Sequence, residues 1–195
     1  MNTQEIVTAS HHEVGHALLS YHVGFLFEFF ELQFNGTEFD RGRIRYDFKG
    51  IESNSENGLL RIQCALGGPI AQTIFEKGIL NLNRPEFESD RKVINDVLTG
   101  ASLEEWKNLV DKQIVIVQAF LEESQSMEAR KSIAQELFQS RKISYQKFIN
   151  LAKKYNVRTL VEKPDLGMFP KTFTIISENW RKAIRFLHKV FSTKL

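Results

Sequence analysis

Ile6, Val14, Ala17, Leu18 and Tyr21 recur at helical spacing, which predicts an opening helix capped by Thr3 and stopped by Gly24. The period then changes. Phe30, Leu32 and Phe34 alternate with Glu31 and Gln33, and Ile44, Tyr46 and Phe48 alternate with Arg45 and Asp47. Period-two alternation on both sides of Asn35, Gly36, Asp40 and Gly42 predicts a hairpin or small sheet whose loop exceeds the two-residue ideal. Helical spacing returns over about 58–77 with Leu59, Leu60, Ile62, Leu66, Ile70, Ile74 and Phe75, interrupted at Gly67-Gly68-Pro69, where a kink or a new helix is expected. Ser102-Leu103-Glu104-Glu105 has capping-box form and opens a long helix through Ile114, Val117 and Leu121. Two shorter helices are expected over 126–139 and 144–155, an irregular stretch over 157–171, and a last amphipathic helix over about 176–191.

These elements give a mainly α fold with a small β-hairpin or sheet after the first helix. The chain has 195 residues, 42% of them hydrophobic, which suits one domain over 1–160. Residues 161–195 then form an irregular linker and a C-terminal helix packed on the same domain. A net charge of +2 argues against nucleic acid as the main partner, because such a face needs clustered positive charge. The single cysteine, Cys64, excludes an internal disulfide framework and a cysteine-based zinc cluster. The apolar run near Phe25 to Phe30 contains Glu28 and is too short to span a bilayer. With no signal peptide in view, a cytoplasmic location is expected.

The candidate chemistry lies in the first helix, at His12-Glu13-Val14-Gly15-His16. Residues four apart share a helix face, so His12 and His16 present two imidazoles to one point, as zinc ligands do. Glu13 points about 100° from His12, beside the metal rather than on it, where a general base for an activated water belongs. Gly15 disfavours the helix by roughly 1 kcal/mol relative to alanine, and its missing side chain would admit a second backbone. His11 lies off the ligand face, as a solvent residue or a support behind the ligands. A catalytic zinc needs a third protein ligand and an open position. His22 is on the wrong face and His188 is in the distant tail, so a carboxylate is expected. Spacing alone leaves Glu76, Glu86, Glu88, Asp90 and Asp96 open, and Asp90 would serve equally as a helix N-cap or first-turn charge.

Taken in order, these segments resemble a known family. Thr8-Ala9-Ser10-His11 leading into HEVGHALLSYHVG resembles the active-site helix of FtsH-type zinc metallopeptidase domains, with their HEAGHA pattern. RGRIRYDF at 41–48 is similar to the strand that follows it, ALGGPIAQTIFEKG at 65–78 to the LGGRAAEEI helix, and ESDRKVIND at 88–96 to the segment whose aspartate completes the zinc site. The match covers about 8–98. It implies a helical peptidase domain, His12, His16 and Asp90 as zinc ligands, and Glu13 as general base of a metalloendopeptidase that hydrolyses peptide bonds. An unfolded protein or exposed peptide would be the substrate, and self-association into a homo-oligomer stays open.

The departures carry information too. The sequence holds no G-x-x-x-x-G-K-S/T loop and none of the family's membrane helices, so the domain is expected either to cut only exposed peptides or to work with an AAA+ ATPase in trans. Pro69, Gln72 and Thr73 replace the family's arginine and paired acids, whose loss would weaken metal binding if they orient a ligand. That keeps open a zinc-binding module that holds a peptide or protein partner with little or no turnover. A third reading places the function in the C-terminal helix, where Arg181, Lys182, Arg185 and Lys189 accompany Trp180, Ile184, Leu187 and Phe191, a pattern that suits an acidic partner or a membrane surface and also describes a solvated basic face. For an extended substrate, strand addition along Phe25 to Phe34 is the expected docking mode, although these phenylalanines equally suit the core.

Overall fold

A computed structural model describes residues 3–46 and 55–160. Helix α1 spans Thr3–Val23 and is followed by the strands β1 (Phe27–Asn35) and β2 (Glu38–Tyr46). Helix α2 (Ser55–Glu76) comes next, then a short 3₁₀ turn at Pro85–Phe87 running into α3 (Glu88–Val97). Helices α4 (Leu103–Glu122) and α5 (Ser124–Ser140), strand β3 (Lys142–Ser144) and α6 (Tyr145–Lys154) complete the order. The described residues are mainly helical, with one small antiparallel sheet. The C-terminal helix expected over 176–191, the linker before it, and Asp47 and Phe48 lie outside the described residues. Among those described, no helix is long and apolar enough to cross a membrane.

The hairpin departs from expectation at its turn. Asn35 pairs with Glu38, so the loop is the two residues Gly36 and Thr37 rather than a long one. Gly36 takes the first loop position with φ +61°, a conformation glycine adopts without penalty. Asp40 and Gly42, which composition assigns to the turn, lie inside β2. The sheet order is β2-β1-β3. The Phe25 to Phe34 segment is therefore the centre of the sheet, not the docking edge, because Arg141 to Ser144 pairs along its other side. Its inward residues Phe27, Phe30 and Leu32 are buried in the core with Phe148 and Ile143. Three-residue β3 is too short to show a period, and 144–155 reads as helix alone.

Helix α1 is enclosed by α2, α5 and the sheet, and every residue from Ser10 to Ser20 is buried. Its apolar stripe is consequently less informative than its total enclosure, the condition in which polar residues must find partners or serve a function. Gly15 explains one contact directly. A Cβ there would stand 2.2 Å from the Gly67 carbonyl oxygen and 2.5 Å from Ala71 Cβ, so the two helices cross backbone to backbone. Helix α2 runs through Pro69 without a new start, giving up the hydrogen bond that the Pro69 nitrogen cannot donate. The Ser102 hydroxyl and the Glu105 carboxylate close the expected capping box at α4.

His22 is buried at the far end of α1, stacked on Phe120 at 4.1 Å, with Nδ1–H donating to the Arg158 carbonyl at 3.2 Å. Burial lowers its pKa to about 4, against the opposing pull of that hydrogen bond. Because the unfolded side chain takes a proton near 6.5, this histidine contributes stability in full above that pH and loses it as pH falls toward 4. His22 is expected to contribute about 2 kcal/mol to the fall in unfolding free energy between pH 7 and pH 5, beside a like share from His11, whose pKa burial also lowers to about 4, and His22→Gln should remove its own share. Urea midpoints at the two pH values test this; an unchanged slope in the variant refutes it.

Candidate metal centre

The site is assembled from α1, α2, α3 and β2. One turn apart on α1, the Nε2 atoms of His12 and His16 lie 3.0 Å from each other. Asp90 brings Oδ2 to 3.2 Å from His12 Nε2 and Oδ1 to 3.1 Å from His16 Nε2. Asp90 is in the first turn of α3, as expected, but is not its cap: Phe87 holds the N-cap position, and the Asp90 carboxylate is buried against the histidines. Of the other carboxylates left open by spacing, Glu76 and Glu86 pair with Arg84, and Glu88 and Asp96 are exposed. His22 is elsewhere and His188 lies outside the described residues. His11 is buried rather than solvated, stacked on Phe75 at 4.1 Å.

Both imidazoles are oriented from behind. His16 Nδ1–H donates to the Cys64 carbonyl at 2.7 Å. The Gly68 N–H also approaches that nitrogen, at 3.3 Å, but one ring nitrogen cannot donate and accept at once, and the shorter contact decides the tautomer. His12 Nδ1–H donates to Gln72 Oε1 at 3.1 Å. With each Nδ1 carrying its proton into the protein, each Nε2 lone pair faces Asp90. This is the arrangement that prepares histidine for a metal. Behind His16 a further layer joins α1 and β2: Ser20 Oγ donates to the His16 carbonyl at 2.7 Å and lies 3.2 Å from the Tyr46 hydroxyl.

The donor set fits a small divalent cation on three counts. Tetrahedral ligands at zinc distances stand about 3.3 Å apart, close to the separations found here. Asp90 Oδ2 is buried and makes no hydrogen bond despite its proximity to His12, so it is an acceptor facing other acceptors. A Cβ on Gly68 would fall 2.4 and 2.5 Å from the two Nε2 atoms, so glycine keeps that space open. His12, His16 and Asp90 are the group able to hold a metal ion among the described residues. A proton on His16 Nε2 would occupy the same place as a cation, and the site favours it. Burial opposes the charged forms of both Asp90 and His16, yet their mutual attraction outweighs it, holding the carboxyl below its usual range and the imidazole above.

Glu13 lies beside this triangle. Its carboxyl is buried, Oε2 has no hydrogen-bond partner, and burial raises its pKa against the pull of the two histidines. Gly42, in β2, makes room for it: a Cβ there would stand 2.4 Å from Glu13 Oε1 and 2.8 Å from Cδ. Sequence reasoning missed Gly42 and Phe87 as parts of the site, and read Gln72 as a loss of ligand support where it in fact supplies some. A glycine inside an alternating strand was the available signal for the first. Gly42→Ala is expected to displace the Glu13 carboxylate, leaving metal content unchanged and lowering any hydrolytic rate at least tenfold. Paired metal and rate assays check this, and an unchanged rate excludes the contact as a functional one.

No protein-family model matches the chain, and no curated protein matches it.

Proposed function

We propose that this protein is a zinc-dependent metalloendopeptidase related to FtsH-type peptidase domains. The observation that carries the reading is the convergence of His12 Nε2, His16 Nε2 and the Asp90 carboxylate, with the buried Glu13 carboxyl alongside. Two imidazoles and one carboxylate leave a position open, as hydrolytic zinc sites do and closed structural sites do not. Bound zinc supplies Lewis acidity, which eases loss of a proton from water and offsets charge developing on the scissile carbonyl oxygen. The chain's own residues do the rest. Gln72 and the Cys64 carbonyl keep both Nε2 atoms available. Glu13 Oε2, buried and unpartnered, takes the proton of the attacking water and returns it to the leaving amine. Burial raises its basicity toward that task.

Strand β2 is at an edge of the sheet and meets Glu13 through Gly42, so an extended peptide or unfolded segment added along β2 would run past the carboxylate. The replacement of the family's acids by Gln72 and Thr73 favours the alternative, a zinc module that binds without cutting. Gln72 nonetheless still orients His12, so the substitution does not abolish ligand support.

Elemental analysis of the purified chain, followed by turnover of casein, tests the reading. One chelator-removable zinc per chain and metal-dependent cleavage support it; zinc with no turnover leaves the binding module, and no zinc ends both. Asp90→Asn is expected to weaken zinc binding at least tenfold, since the anionic ligand is lost, and competition with a chromophoric chelator measures it. Full affinity in that variant removes Asp90 from the ligand set.

A further inference from the structure

Behind His12, five side chains close a ring. His12 Nδ1–H donates to Gln72 Oε1, and Gln72 Nε2–H donates to Glu76 Oε1 at 3.0 Å. Glu76 receives both terminal nitrogens of Arg84, Nη1 at 2.6 Å and Nη2 at 3.2 Å. The Arg84 guanidinium lies 5.0 Å from the centroid of the Phe87 ring. Phe87 in turn stacks on the His12 imidazole at 5.7 Å with the planes 21° apart. The ring thus joins α1, α2 and the 3₁₀ turn that leads into α3, the helix carrying Asp90.

We infer that Arg84 is a positioning residue for the metal centre, acting on His12 through both arms of this ring; the inference rests on the metal-site reading above. The first arm sets the proton on His12. A neutral amide can face His12 with either its oxygen or its nitrogen, and only the oxygen accepts the Nδ1 proton. The Glu76 carboxylate accepts from the Gln72 amide nitrogen and so forbids the flipped amide. Arg84, through its paired hydrogen bonds, holds Glu76 at that place. The second arm sets the plane of His12, because Phe87 contacts both the imidazole and the guanidinium. A carboxylate touching His12 would need no such support. A glutamine does, and the ring lends it charge from two residues away.

The test is a thermodynamic cycle on the full chain, with Co²⁺ and Zn²⁺ affinities from chelator competition and the visible bands of the Co²⁺ form as a second readout. Arg84→Met and Gln72→Leu are each expected to weaken both ions about 10–100-fold, the range for groups supporting a ligand from behind. The double variant should be no weaker than the worse single, because a ring opened once cannot be opened again. Arg84→Lys, which lacks the planar fork, should recover part of the loss and shift the Co²⁺ bands back toward the parent's. Losses that multiply in the double variant overturn the ring, as does an Arg84→Met protein that binds like the parent. Should Gln72→Leu not fold, Glu76→Ala replaces it in the cycle. A parent that takes up neither ion overturns the metal-site reading itself, a result distinct from failure of the ring.

Discussion

Glu13→Gln is expected to retain one metal ion per chain and to lose peptide cleavage by about 10²–10⁴-fold, the usual contribution of a positioned proton carrier. The geometry explains why the two properties separate. Glu13 faces Gly42, while the ligand triangle is built from His12, His16 and Asp90. Replacing the carboxylate with an amide of the same shape changes no ligand and fills the same space, but leaves nothing at Oε2 able to take a proton. His12→Ala is the complementary variant and is expected to lose both metal and cleavage. Metal analysis and casein turnover on the two proteins decide the matter. A Glu13→Gln protein as active as the parent would sink the assignment of the base, and metal loss in that variant would make Glu13 a ligand instead.

Gly15→Ala is expected to destabilise the fold by about 2–3 kcal/mol, lowering Tm by roughly 5–10 °C. The sign is not obvious, since alanine in a helix gains roughly 1 kcal/mol over glycine. Here the added methyl would meet the Gly67 carbonyl oxygen at 2.2 Å and Ala71 Cβ at 2.5 Å, and neither can swing away as a side chain tip could. Helices α1 and α2 must separate. The separation also carries His12 and His16 away from Gln72 and Cys64, so metal affinity should fall with stability. Thermal melts of the metal-free and metal-loaded variant test both statements, and a variant as stable as the parent would show that the crossing is looser than its geometry implies.

What could be read from the residues was local. A capping box at Ser102 and a helical stripe in α1 are signals written within a few positions, and the structure contains both elements. Gly15 was legible as a close approach because a glycine within a helix demands a reason. Asp90 was different. Spacing left it among five carboxylates, and motif order alone singled it out; in the structure it is the one that meets the histidines. The hairpin turn was misplaced because Asp40 and Gly42 resemble loop residues by type, whereas Gly42 is in the strand to clear space for a side chain from another element. Strand β3, Gln72, Phe87 and Arg84 contribute through contacts between distant segments, which no local period encodes.

The enclosure of α1 has a consequence for how the site opens. With every residue from Ser10 to Ser20 buried, the two histidines belong to the part of the molecule that opens only when everything does. Helix α3 is different: only Asp90 and Ile94 are buried there, so less packing opposes its local opening. One of the three groups able to hold a metal ion is thus on a lightly packed helix and two are on the enclosed one. Metal entry and escape would then follow the breathing of α3, and a bound ion would fasten the least anchored helix to the most anchored one.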